Sequence, residues 1–168
     1  MNETQDFIGQ DAVDKLRSLV SSSPTCMFAS NLTSVPFHVC PMQVQRVDDQ
    51  GNIWFFSDAS SEHNRHLRED PRVELIFSNH SNYQYLAVFG EIIISRDPAK
   101  IDELWTSAMK AWFPDGKSDP NLTLLRVHPE LVHYWDTKDG KLVTLAKILG
   151  SAISGNPADV GQQGELKP

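Results

Sequence analysis

Apolar residues recur along this chain at two spacings. Between residues 10 and 20, Val13, Leu16, Leu19 and Val20 fall at helical spacing on one face. They predict a helix, which the run Ser21 to Pro24 ends. The period then shortens to two. Thr25 to Ser30 predicts a strand with Cys26 and Phe28 on one face and Met27 and Ala29 on the other. Phe37 to Val47 predicts a second strand, in which His38, Cys40, Met42 and Val44 share a face. Pro41 marks it as an edge or a bulge. A hairpin turn at Asp48 to Asn52 returns the chain through an aromatic strand, Ile53 to Phe56. Trp54 and Phe56 share one side of it, Phe55 and Ser57 the other.

A polar corner at Ser57 and Asp58 leads into a short helix from about Ser61 to Glu69, stopped by Pro71. Ser60 or Ser61 is its natural N-cap, and the free N–H groups behind the cap form an anion site. Strands follow at Arg72 to Asn79 and Tyr85 to Ser95. Gly90 inside the second predicts a bulge or a close backbone approach. Asp97 and Pro98 start a helix whose stripe is Ile101, Leu104, Trp105, Ala108 and Trp112, closed by Pro114 to Gly116. Asn121 to Val127 and Leu131 to Asp136 give the last strand or strand pair. A final amphipathic helix is expected over Leu142 to Ile153. The Gly-, Pro- and Gln-rich end predicts a mobile tail, so one domain is placed at 1–155 and a flexible tail at 156–168. About six antiparallel strands with hairpin-sized connections predict a mainly β fold with flanking helices, a closed or partly closed β-barrel.

Composition narrows the function. The 168 residues are 40% hydrophobic and 22% charged, ordinary for one globular domain. A net charge of −7 argues against a general nucleic-acid binder, which needs a broad basic face. It leaves room for a small anionic ligand in one local basic pocket. The start, Met1 to Phe7, lacks the basic and apolar parts of a signal peptide, and no run approaches a membrane span. A cytoplasmic location without membrane contact is therefore expected. Cys26 and Cys40 lie in no metal or redox spacing and read as two free thiols. His38 with Cys40, and His63 with His66, supply two ligands each, which close no metal site. No metal is expected.

His63, Arg65, His66, Arg68 and Arg72 make the short helix and its exit the most basic stretch of an acidic chain. An aromatic strand running into a basic helix start suits a flat ring carrying a phosphate. The same residues also read as a core strand followed by a solvated helix.

The order Phe55, Phe56, Ser57, Asp58, then Ser61 two residues before His63, then Asp70 to Val73, resembles the FMN-binding split barrels of the pyridoxamine 5'-phosphate oxidase-like superfamily. The general-stress-protein branch is most similar. The resemblance continues in His38 to Met42, Val88 to Glu91, Asp97 to Lys100 with Leu104 and Trp105, Lys110 to Pro114, and Leu125 to Pro129 leading to Tyr134, Trp135 and Asp136. It covers about residues 10–155.

This resemblance implies a six-stranded antiparallel split β-barrel, a homodimer, and a flavin in each interface cleft. The flavin is FMN, with FAD or a deazaflavin as alternatives. It implies a possible oxidoreductase, with a non-enzymatic binding protein of degenerate pocket as the alternative. The cofactor-binding residues it implies are Cys40, Met42, Phe55, Phe56, Ser57, Asp58, Ser61, His63, Asn64, Trp112 and Trp135. Trp135 would approach the flavin from the partner subunit. Two positions depart from the pattern: Cys40 and His63 stand where relatives tend to carry Arg and Lys. Arg65 or Arg68 would have to replace the lost charge, or a protonated His63 would regain it near the ordinary histidine pKa.

Overall fold

The computed structural model describes residues 3–137 and 161–168. In chain order it contains β1 (Glu3–Thr4), β2 (Phe7–Ile8), α1 (Gln10–Ser22), β3 (Thr25–Ser30), β4 (His38–Gln43), β5 (Arg46–Val47), β6 (Ile53–Asp58), α2 (Glu62–Glu69), β7 (Arg72–Asn79), β8 (Gln84–Ser95), α3 (Pro98–Leu104), β9 (Leu122–Thr137) and β10 (Gly161–Lys167). Short 3-10 turns cover His80–Asn82, Ser107–Ala111 and Gly116–Ser118. None of the described helices is long and apolar enough to cross a membrane.

The strands share one sheet in the order β1-β10-β9-β8-β7-β3-β4, with β6 also on β9 and β5 on β6. Strand β9 is its spine. One edge pairs along β8; the other takes β6 against Leu122–Val127 and then β10 against Val132–Thr137. Of the strand or strand pair expected over these residues, the single strand forms. The ladder shifts register between Phe89 and Gly90, opposite His128 and Pro129. A Cβ on Gly90 would sit 2.2 Å from the His128 carbonyl oxygen, so only glycine fits this close approach.

One face of β3, β7, β8 and β9 forms the main core. Phe28 and Phe55 meet edge to face at 5.6 Å, among Leu16 of α1, Leu75, Val88, Leu125 and Tyr134. The opposite face mixes apolar residues with Glu74, Ser78 and His133, and no described residue covers it. Met27, Ile76, Tyr85, Leu131 and Trp135 share it through cross-strand pairing, and each is 37–51% exposed.

The described residues form ten strands in the sheet, because β1, β2 and β10 join it and the expected second strand divides into β4 and β5. Two expectations need correction. The tail placed at 156–168 is a strand over Gly161–Lys167. It docks mainly through its backbone, antiparallel to β9 and parallel to β1 and β2, a pairing that a Gly- and Gln-rich composition conceals. Leu166 anchors it in the core at 2% exposure. The helix expected to reach Trp112 stops at Leu104. Trp105 and Thr106 have extended backbones, and the chain re-enters as the 3-10 turn Ser107–Ala111. Ile101 and Leu104 are buried as the stripe required, whereas Trp112 is 69% exposed. The helix expected over 142–153 lies outside the described residues.

Candidate functional site

The candidate site is assembled at the corner between β6 and α2. Ser61 caps α2, its hydroxyl accepting from the Asn64 backbone N–H at 3.3 Å. The Asn64 side chain is fully buried. Its amide nitrogen lies 2.5 Å from Ser57 Oγ, 2.7 Å from the Asp58 carbonyl and 3.1 Å from Ser61 Oγ. One side chain thus ties the strand end to the helix start. Asp58 Oδ1 accepts from both the N–H and the hydroxyl of Ser60. Thr123 of β9 donates to the Ser57 carbonyl from the other side.

His63 stands at the centre of this corner. Its Nε2 lies 2.6 Å from Ser57 Oγ and 3.1 Å from Ser61 Oγ, and its Nδ1 lies 3.7 Å from Cys40 Sγ. Burial pulls its pKa down to about 4. The neighbouring His38 and His66 act in the same direction, and Asp58 only partly offsets them. At neutral pH His63 is therefore a neutral hydrogen-bonding group. The positive charge expected near the ordinary histidine pKa returns only in stronger acid.

A cleft of about 400 Å³ opens beside His63. Pro41, Met42 and Gln43 of β4 form one side with Thr25 and Gln45. Phe56, Ser57 and Asp58 form the floor. Met109, Trp112 and Phe113 close the far side from the loop after α3. Phe56 is fixed from behind by Trp105, edge to face at 5.9 Å. The lining thus combines the aromatic side chains of Phe56, Trp112 and Phe113 with the Ser57 hydroxyl, the Asp58 carboxylate and the His63 imidazole.

No Lys or Arg is among the described residues lining the cleft. Arg68 donates instead to the Ala59 carbonyl at 3.0 Å. Arg65 lies 3.6 Å from Glu62 and 3.1 Å from His66 Nε2. Neither replaces the missing charge in this arrangement.

Of the residues singled out in the sequence, Met42, Phe56, Ser57, Asp58, His63 and Trp112 line the cleft. Cys40, Ser61 and Asn64 support it through the contacts above. Phe55 does not take part: alternation along β6 turns it into the main core, fully buried. Trp135 is not among the described residues lining the cleft and stands on the outer face of the sheet. Thr25, Gln43, Gln45 and Met109 were not singled out. Thr25 and Gln43 are a cross-strand pair, which the strand pattern could have exposed. Met109 and Phe113 depend on the unforeseen turn after α3.

Residues 11–159 match the family described as pyridoxamine 5'-phosphate oxidase like. Protein bli-3 of Neurospora crassa is 21% identical over 164 residues, covering 92% of this chain and 78% of that protein. General stress protein 26 of Bacillus subtilis is 34% identical over 61 residues, 36% of this chain and 43% of that protein. Among solved structures, a general stress protein 26 candidate from a Jannaschia species superposes with a TM-score of 0.78 at 21% identity, covering 95% of this chain and 99% of that one. The general stress FMN/FAD binding protein of Xanthomonas citri superposes with a TM-score of 0.64 at 30% identity, covering 74% and 87%.

Proposed function

The chain belongs to the pyridoxamine 5'-phosphate oxidase like family, and we propose that it is a general-stress-type protein that binds FMN in the cleft at the start of α2. The observation that carries this reading is the cleft itself: about 400 Å³, lined by Phe56, Trp112 and Phe113 together with the Ser57–His63 corner. A volume of this size is in the usual range for a small-molecule site. The aromatic lining fits a flat ring. The corner fits a phosphate through the Ser57 and Ser61 hydroxyls and the α2 backbone N–H groups, with the neutral His63 imidazole beside them. These donors are neutral, so the anchor is weaker than one with a fixed cation. The Xanthomonas citri relative's FMN/FAD name supports the same class of ligand.

The redox chemistry would belong to the flavin. The residues here would hold its ring against Phe56 and Trp112, seat its phosphate at the corner and limit water around it. An oxidoreductase is the activity that a flavin held in this way would support. The absence of Lys and Arg from the described lining favours a second reading, a non-enzymatic binder with a degenerate pocket. FAD or a deazaflavin is the ligand alternative. Turnover with a reduced nicotinamide separates enzyme from binder, and mass analysis of extracted cofactor separates the ligands.

We further propose the six-stranded split barrel formed by β3, β4 running on into β5, β6, β7, β8 and β9. Its support is the short link Val44–Gln45, whose N–H groups bond to Pro24 and Trp54 and carry β4 toward the β5–β6 pair. The exposed apolar residues Met27, Ile76, Tyr85, Leu131 and Trp135, covered by no described residue, support a homodimer with two-fold symmetry. A cytoplasmic setting agrees with the two unpaired cysteines. Light scattering of the purified protein tests the dimer: a particle of twice the 18.9 kDa chain is expected, and a monomer at micromolar concentration overturns it. Flavin absorbance that follows the protein through gel filtration after incubation with FMN tests the ligand. Its absence under saturating FMN rejects the reading.

A further inference from the structure

The corner behind the cleft also gathers metal-binding side chains from two elements far apart in sequence. His38 and Cys40 project from β4 and His63 from α2, and one ligand atom of each lies within 4.8 Å of the others. From this juxtaposition we infer that His38, Cys40 and His63 form a binding site for a zinc-type divalent cation with thiolate and imidazole ligands.

Two observations favour the inference over a simple polar cluster. The first is spacing. Tetrahedral zinc, with bonds of about 2.0–2.3 Å, sets its ligand atoms roughly 3.4–3.8 Å apart. Cys40 Sγ and His63 Nδ1 already stand at 3.7 Å. His38 lies near enough to join by a modest side-chain movement: its ring stacks beside His63 at 6.3 Å between centroids, with 19° between planes.

The second is the group behind His63. Metal-bound histidines usually donate their other ring N–H to a fixed acceptor, which sets the tautomer. Here Ser57 Oγ and Ser61 Oγ both face Nε2, and both are themselves held by Asn64. With the proton on Nε2, the lone pair of Nδ1 points at Cys40.

Binding would displace the Cys40 thiol proton to solvent and form the metal–sulfur bond, without any redox change. Three protein ligands leave a fourth position for water or an anionic oxygen. One thiolate with a mixed imidazole set selects zinc, and cobalt as its spectroscopic substitute, over magnesium or calcium. The sequence spacing alone gave only pairs. The site exists because β4 and α2 meet.

The test uses the full chain without flavin, so its outcome is independent of FMN binding. Co²⁺ titration should show one ion per chain and a sulfur-to-cobalt charge-transfer band in the near ultraviolet. Cys40→Ser should abolish the band, and His38→Gln should weaken Zn²⁺ binding by about 10-fold or more. In the unmodified protein, Zn²⁺ should protect Cys40 from alkylation by iodoacetamide, read by mass spectrometry; this arm holds even if a variant fails to fold. Co²⁺ binding with no charge-transfer band, or Cys40 alkylation unchanged by Zn²⁺, overturns the inference and leaves a thiol–imidazole hydrogen bond in its place.

Discussion

Phe55 and Phe56 are neighbours in β6 and face opposite ways. Phe55 enters the main core, edge on to Phe28, and is fully buried. Phe56 belongs to a second, smaller cluster with Trp54, Ile101, Leu104, Met109, Phe113, Leu122 and Leu124. The main core is packed between the sheet and α1. The second cluster is covered by α3 and the irregular loop after it, and that loop stops short of closing. The cleft is the space left over. One strand therefore builds the core with one face and lines the cleft with the other, and the difference lies in what covers each face.

The largest effect should come from the core side. Phe55→Ala should destabilise the fold by about 3–5 kcal/mol in denaturant unfolding, because the closed core cannot refill the cavity. A loss near zero would show that the two faces are equivalent. Trp112 sits at the opposite extreme, 69% exposed on the cleft rim. Trp112→Ala should change stability by no more than about 0.5 kcal/mol. It should weaken FMN binding by roughly 1–3 kcal/mol in a fluorescence titration. Stability loss without affinity loss would move Trp112 to a purely structural role.

A smaller effect should appear in acid. Burial pushes the Asp48 carboxyl up, but hydrogen bonds from Trp54 Nε1 at 2.8 Å, from the Asn52 side chain and backbone, and from the Gln50 N–H outweigh it and hold the pKa below the usual range. A lowered folded-state pKa means that this anchor stabilises above the ordinary carboxylate value and is lost as pH falls through the folded one. The window lies below about pH 4. Asp48 is partly exposed, so Asp48→Asn should cost only about 1 kcal/mol at neutral pH and should flatten the acid limb. Since Trp54 belongs to the second cluster, the loss should loosen the cleft side first. Stability curves of the two proteins that remain parallel down to pH 2 would contradict this.

Much of this arrangement is legible in the sequence, for physical reasons. The period-two pattern through Ile53 to Ser57 gives the strand and its two faces, and Ser61 before a basic helix gives the cap. Gly90 marks the bulge because only glycine permits that approach. Periodicity does not say how a face is covered, so Phe55 is assigned to the cofactor together with Phe56. Nor does it reveal backbone docking. Gly161 to Lys167 has the composition of a loose end and pairs as a strand because β9 leaves an edge open. The ending of α3 at Leu104 depends on Trp105 and Thr106 turning to extended backbone, which an apolar stripe running on to Trp112 masks. The burial that keeps His63 neutral also depends on side chains from β4, brought in by tertiary packing.

The central claim is that the α2 corner of the cleft receives the phosphate of a flavin. Parallel titrations of FMN and riboflavin, which lacks the phosphate, test it most directly, in the presence of a chelator so that no metal intervenes. FMN should bind more tightly than riboflavin. His63→Lys should widen the gap by about 10-fold or more, as a charge-assisted contact replaces a neutral one. Equal affinities for the two flavins, unchanged by His63→Lys, would contradict it.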